Sequence, residues 1–320
     1  TPIKSSAASD VYKRQFHMST MNSDISPEEY KERPLYLEQR AIVEALSPKY
    51  GEGEARAMAR IIFEQLKGWS PTDTAIRANE PVSEFLHQQI LNVVERILAD
   101  EPIQYIFGVA DFYGMKLSVN PAVLIPRPET AELVDIIVKE NTSKDLRVVD
   151  FGTGSGCIAI ALARNLLFPE VTAVDLSPAA LDTARDNAKR LFARITFVEA
   201  DILALNDSTP ALLAGSFDII VSNPPYIAES EKSAMEANVL LHEPATALFV
   251  PNSDPLRFYR SIIDYAVVHL SPSGTLYFEI NPLFVNQLAD MAAAKGFSAA
   301  IHLDSFGRRR FAVLKKKNEN

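Results

Sequence analysis

The chain has 320 residues, a net charge of −9, one cysteine and five histidines. That length allows two domains, and an apolar fraction of 47% is ordinary for a globular protein with a sizeable core. The acidic balance argues against a nonspecific nucleic-acid coat. A lone Cys157 and scattered histidines exclude an intrachain disulfide and point to no metal site, and no apolar run approaches the ~20 residues of a bilayer span.

Residues 1–26 are polar, start at Thr1 with Met18 and Met21 downstream, and lack a signal-peptide core. They are expected to be a disordered or non-native leader. From 27 to 100 the apolar period is helical. Leu35, Ile42 and Leu46 share a face, then Ala55, Met58, Ala59, Ile62, Phe63 and Leu66, then Leu86, Ile90, Val93 and Ile97. Pro48, the Gly51/Gly53 pair, Pro71 and Pro81 punctuate the run, which predicts a bundle of about four helices serving as a substrate or partner platform. Over 101–120, Tyr105-Ile106-Phe107 and Phe112 to Val119, around Gly108, predict two short strands in a β-hairpin linker.

From 121 to 320 the chain reads as α/β. Val123-Leu124-Ile125-Pro126-Arg127-Pro128-Glu129-Thr130 is a stiff segment that either walls a pocket with Arg127 and Glu129 or straps two domains. It precedes a helix bearing Leu133, Ile136 and Ile137. Strands are expected at Leu146 to Phe151, Thr172 to Val174, Ile195 to Val198, Ile219 to Val221 and Thr275 to Ile280. Helices follow the first two strands, and another runs from Phe258 to Leu270. This alternation is the mark of a doubly wound, mostly parallel sheet. Two late strands near Ala299 to Leu303 and Arg310 to Leu314 flank a turn at Phe306-Gly307-Arg308, and Lys315 to Lys317 read as a solvated tail.

Chemistry-bearing residues fall at successive strand ends, where α/β sheets bind ligands. Gly152-Thr153-Gly154-Ser155-Gly156 follows the first strand. Its third glycine comes one residue too early for a pyrophosphate fingerprint, which suits a nucleoside ligand without phosphate such as S-adenosylmethionine. Asp175 ends the second strand, either as a helix cap or as an acceptor for ribose hydroxyls. Asp201, with Ile202, follows the third, either as a loop carboxylate or at an adenine ring. Asn223-Pro224-Pro225-Tyr226 ends the fourth. Alone it is a rigid turn. Beside a methyl donor, the Asn223 side-chain oxygen and the Pro224 carbonyl would accept the N–H groups of a planar nitrogen, and Tyr226 would pack on its plane.

With these motifs the chain resembles class I S-adenosylmethionine-dependent methyltransferases. More closely it is similar to the peptide chain release factor N5-glutamine methyltransferases, on Phe112-Tyr113-Gly114, Ile125 to Thr130, Asp150 to Gly156, Asn223 to Tyr226, and Glu243-Pro244-Ala245-Thr246-Ala247-Leu248. The resemblance runs from about Leu35 to Leu314. It implies a seven-stranded Rossmann-like sheet and methylation of the glutamine amide in the Gly-Gly-Gln motif of release factors. It also implies cofactor contacts at Gly152 to Gly156, Asp175, Asp201, Ile202 and Asn223, with substrate contact at Asn223 to Tyr226. Two positions depart from the family pattern: Ala131 stands where an acid often follows Pro-Glu-Thr, and Asn281 where Glu-x-Gly often ends. A cytoplasmic monomer acting on a protein, with no metal, no membrane and no direct nucleic-acid binding, is expected. The competing readings are an N5-glutamine methyltransferase of a ribosomal protein, an adenine-N6 nucleic-acid methyltransferase, and a cofactor-free binding module on the same scaffold.

Overall fold

A computed structural model describes residues 33–205 and 209–317; the expected leader at 1–26 lies outside the described residues. The chain divides into two compact units, one ending at Phe107 and the other beginning at Gly108.

The first unit is helical: α1 (Leu35–Tyr50), α2 (Glu52–Lys67), α3 (Pro71–Ile76), α4 (Glu84–Leu98) and α5 (Ile103–Phe107). The sequence stripes converge in one core of Leu35, Ile42, Leu46, Ala55, Ile62, Phe63, Leu86, Ile90 and Ile97. Ser70 and Asp73 start α3 with a reciprocal capping box. Pro48 does not break the chain as expected: it sits in the last turn of α1, and the break comes at Gly51, whose φ is 81°. Residues 103–107 are likewise helical, not a strand. The N–H groups of Tyr105 and Ile106 bond back to the Pro102 carbonyl, while Ile103 and Ile106, one turn apart, pack on the bundle core. Tertiary packing here overrides the strand propensity of Tyr-Ile-Phe.

The second unit begins with a hairpin, β1 (Val109–Phe112) and β2 (Met115–Ser118), paired from Val109↔Ser118 to Phe112↔Met115. Its two-residue turn, Tyr113-Gly114, has positive φ at both positions, the twist that suits a tight hairpin. Then come α6 (Pro128–Glu140), β3 (Arg147–Phe151), α7 (Cys157–Asn165), β4 (Glu170–Asp175), α8 (Pro178–Arg190), β5 (Ile195–Glu199) and β6 (Phe217–Ser222). A short excursion follows, β7 (Ile227–Ala228), α9 (Ala237–His242), α10 (Ala245–Leu248) and β8 (Phe249–Val250). The chain closes with α11 (Arg257–His269), β9 (Leu270–Glu279), α12 (Val285–Ala294), β10 (Phe297–Leu303) and β11 (Arg309–Lys316).

The main sheet has seven strands in the order β10-β11-β9-β6-β3-β4-β5, parallel except for β11, which is antiparallel to both its neighbours. Successive strand residues alternate between two cores, as a twofold strand period requires. Val149, Ile220, Leu276 and Leu314 join α11 and α12 on one side. Val148, Ile219, Tyr277 and Val313 join α6 and α7 on the other. This is the expected doubly wound, Rossmann-like architecture. Strand order reverses between β3 and β6, which end level: Phe151 pairs with Ser222, and the Ser222 hydroxyl bonds the Phe151 carbonyl at 2.7 Å. Gly152 and Asn223 therefore leave adjacent strand ends. Phe278 pairs with Ser222 on the other side, so Glu279 lies level with Asn223 too.

The C-terminal lysines are not all tail. Lys315 and Lys316 belong to β11, and the Lys316 ammonium donates to the carbonyls of Val267 and Leu270. Among the described residues, no helix is long and apolar enough to cross a membrane.

Candidate active site

At the topological switch point of the sheet lies a cavity of about 410 Å³. Its walls include Gly152, Thr153, Gly154 and Ser155 after β3, Asp175 at the end of β4, Asp201 and Ile202 after β5, and Asn223 and Pro225 after β6. Leu124, Arg127, Thr130, Ile158 and Phe258 complete much of the rest.

The glycine loop is held by its neighbours. Gly152, Gly154 and Gly156 all have positive φ. The N–H groups of Gly152 and Thr153 bond the Val174 carbonyl, and the Gly154 N–H bonds Asp175 Oδ2 at 2.8 Å. Asp175 Oδ1 accepts from the Ser177 N–H at 2.9 Å, while Ser177 itself caps α8. Asp175 is thus the brace between the glycine loop and the next helix, and each of its oxygens keeps a lone pair. Asp201 caps a turn of 3-10 helix by accepting the Leu203 N–H at 2.8 Å. Gly156 starts α7 but does not line the cavity.

Behind the loop, Asp150 is fully buried. Its Oδ2 accepts from the Thr153 hydroxyl at 2.7 Å and the Ala159 N–H at 3.3 Å, while Oδ1 has no protein partner. Burial pushes its carboxyl up to about 7, against those two bonds and with help from the nearby Asp175 charge. Cys157 lines the cavity; burial, then the Asp150 charge, pushes its thiol up to about 12.

A second cavity of about 210 Å³ adjoins the first. Both share Leu124, Arg127, Asn223 and Ala247; the second adds Pro224, Tyr226, Met235, Val239 and Glu279. Asn223 stands at the junction. Its Nδ2 donates to Thr130 Oγ1 at 3.2 Å, and the Thr130 hydroxyl donates to Glu279 Oε2 at 2.7 Å. Glu279 Oε1 accepts from the Tyr226 hydroxyl at 3.1 Å. Burial raises the Glu279 carboxyl, opposed by the bonds from Thr130 and Tyr226. Burial also raises the Tyr226 hydroxyl, which stays protonated.

A profile described as the methyltransferase small domain matches residues 129–254, and one described as the PrmC N-terminal domain matches residues 39–108. A release factor glutamine methyltransferase of Bacteroides thetaiotaomicron is 44% identical over 276 residues, covering 86% of this chain and 98% of the relative. One from Flavobacterium psychrophilum is 40% identical over 273 residues, covering 84% and 94%.

The chain belongs to the release factor glutamine methyltransferase family.

In this family member the structure gathers most of the residues singled out in the sequence. Gly152 to Ser155, Asp175, Asp201, Ile202, Asn223 and Pro225 line the larger cavity, Pro224 and Tyr226 the smaller, and Arg127 both. Glu129 is not brought in: its carboxylate pairs with Arg308 at 3.1 Å and lines neither cavity. Arg127 pairs instead with Glu243, the buried first residue of Glu-Pro-Ala-Thr, whose other oxygen accepts the Ile125 N–H. The two departures from the family pattern are also absorbed. Ala131 packs against the α6–α7 core, and Asn281 donates to the Tyr226 carbonyl at 3.1 Å and to Glu231 at 3.0 Å. Sequence reasoning missed Thr130, Glu243 and Glu279 as site residues. The available signal was an acid closing the apolar run Leu276-Tyr277-Phe278 at a strand end.

Proposed function

We propose that the protein transfers a methyl group from S-adenosylmethionine to the side-chain amide nitrogen, N5, of the glutamine in the Gly-Gly-Gln motif of peptide chain release factors, acting as a monomer in the cytoplasm. The observation that carries this reading is Asn223 at the junction of two cavities, with its amide nitrogen engaged by Thr130.

The larger cavity fits the cofactor. It has the volume of a small-molecule site, apolar walls at Ile158, Ile202 and Phe258, and carboxylates at Asp175 and Asp201. Asp175 would accept ribose hydroxyls and Asp201 the adenine amino group, with Ile202 against the ring and the glycine loop at the amino-acid end. Bound S-adenosylmethionine supplies an electrophilic methyl group on a sulfonium. The Cys157 thiol, held neutral by its raised pKa, does not compete for it.

The smaller cavity would receive the glutamine side chain. An amide nitrogen is a weak nucleophile because its lone pair is delocalised. With Nδ2 turned to Thr130, Asn223 offers Oδ1 as one acceptor, and the Pro224 carbonyl offers the second on a backbone that two prolines make rigid. Two acceptors on the substrate N–H groups orient the nitrogen and draw electron density toward it. Tyr226 packs on the amide plane. No base need act beforehand, because the nitrogen becomes acidic once methylated. The helical unit would engage the body of the release factor.

Incubation with labelled S-adenosylmethionine and, separately, release factor, ribosomal protein and RNA tests the assignment. Label is expected in release factor only, and not in a release factor whose Gly-Gly-Gln glutamine is changed to alanine. Label in that variant or in RNA refutes it.

A further inference from the structure

A side-chain amide presents an acceptor at one end and donors at the other, and nothing within Asn-Pro-Pro-Tyr decides which end meets a ligand. We propose that Thr130 and Glu279 form a polar relay that sets the orientation of the Asn223 amide, which makes both of them positioning residues for methyl transfer. The inference rests on the reading of Asn223 as an acceptor for the substrate nitrogen.

The direction of each bond follows from the far end. With Glu279 ionised its carboxylate only accepts, so Thr130, 2.7 Å from Glu279 Oε2, gives its single hydroxyl hydrogen to it. Thr130 Oγ1 is then left with lone pairs alone and takes a hydrogen from the Asn223 Nδ2 at 3.2 Å. Asn223 Oδ1 is consequently the end that is free of this contact. The other Glu279 oxygen accepts from Tyr226, and the Tyr226 carbonyl is held by Asn281, so the same strand end fixes both the first and the last residue of the motif. Backbone register makes this possible: Ser222 and Phe278 are paired, and Asn223 and Glu279 are the next residues on their strands. Thr130 enters from the first turn of α6, where Pro128 sits at the start of the helix. Glu279 is itself anchored, since the Tyr259 hydroxyl donates to its main-chain carbonyl at 3.0 Å.

Protonation of Glu279 reverses the relay. A protonated carboxyl donates to Thr130, the Thr130 hydrogen swings toward Asn223, and the amide must then offer its oxygen to Thr130 and its nitrogen to the substrate. The groups facing Glu279 are Thr130 and Glu129 of α6, Tyr226 after β6, Tyr259 of α11 and Arg310 of β11; burial and Glu129 raise its pKa, while Thr130, Tyr226 and Arg310 lower it. Because the net shift is upward, turnover is present above the Glu279 pKa and is lost as pH falls through it, at a pH above the ordinary range of a glutamate, about 4.3.

Three variants of the full chain test the relay: Thr130→Val, Thr130→Ser and Glu279→Gln. The first readout needs no cofactor or substrate. In protein carrying isotope-labelled asparagine, the Asn223 side-chain amide is identified by its loss in Asn223→Ala. One of its protons should be shifted and slow to exchange in the wild type and Thr130→Ser, and ordinary in Thr130→Val and Glu279→Gln. The second readout is methylation of release factor. Thr130→Val and Glu279→Gln should lower kcat by about 10²-fold, the scale of a misplaced catalytic contact. The KM for release factor and the affinity for S-adenosylhomocysteine should stay within about threefold, and Thr130→Ser should retain most of kcat. The acid limb of the pH profile should vanish in Glu279→Gln. Wild-type kcat in Thr130→Val, or equal impairment in Thr130→Ser and Thr130→Val, would overturn the relay. If the amide signal behaves as stated but wild-type protein leaves release factor unmethylated, the relay stands and the proposed substrate falls. If methylation requires Asn223 but neither Thr130 nor Glu279, the relay falls and the substrate stands.

Discussion

The side-chain amide of Asn223 lies between the Thr130 hydroxyl and the junction of two cavities. Removing it should separate chemistry from binding. In Asn223→Ala, release factor methylation is expected to fall by about 10²-fold or more, the scale of one preorganised contact in a dry site. S-adenosylhomocysteine affinity, measured by calorimetry, should weaken only modestly, because the glycine loop, Asp175 and Asp201 remain. A fully active variant would rule out this role for Asn223. Asp150 makes a different prediction, one about folding. Its carboxyl titrates at about 7 in the folded chain. In the unfolded chain the ordinary value is about 3.9. Between those values the folded state holds a proton that the unfolded state has lost, so stability falls as pH rises through the window. Urea unfolding of the ligand-free protein from acid to neutral pH should show that slope, and Asp150→Asn should lose it; equal slopes would contradict the assignment.

At the scale of elements, the strand ends were the most legible part of the chain. Consecutive β-branched residues marked Val148-Val149 and Ile219-Ile220-Val221, and the glycine loop and Asn-Pro-Pro-Tyr come directly after those two strands. The excursion from β7 to β8 is not marked in the sequence, because elements of two to six residues give the helical or strand period too few repeats to register. Residues 103–107 carry the strand-favouring run Tyr105-Ile106-Phe107, and packing on the bundle core overrides it. Glu129 and Glu279 show the limit at the site itself: both are acids beside a motif, but only Glu279 faces the cavity, and strand register and helix phase decide which. Thr130 was read as part of a stiff segment, with no hint of its partner 149 positions away. The start of α7 carries the clearest element-level prediction. A Cβ at Gly156 would stand 3.1 Å from both Ala184 Cβ and Ile160 Cδ1, on a backbone with φ of 81°. Gly156→Ala should therefore lower stability by about 2–4 kcal/mol, from left-handed strain plus overpacking, read as a lower urea midpoint. An unchanged midpoint would show that the loop can relax.

At the scale of the molecule, each of two units carries its own core, and the chemistry lies in the second. Its sheet brings five strand ends, those of β3, β4, β5, β6 and β9, to one edge and so assembles residues from 152 to 279 around a pair of cavities. In the proposed reading, the junction at Asn223 is what selects a planar nitrogen with two N–H groups to donate. The most direct measurement is tandem mass spectrometry of a release factor incubated with S-adenosylmethionine, with and without this protein. The mass of one added methyl group is expected, localised to the side chain of the Gly-Gly-Gln glutamine and present only when the protein is added. An unmodified glutamine, or a methyl group located elsewhere on the release factor, would contradict it.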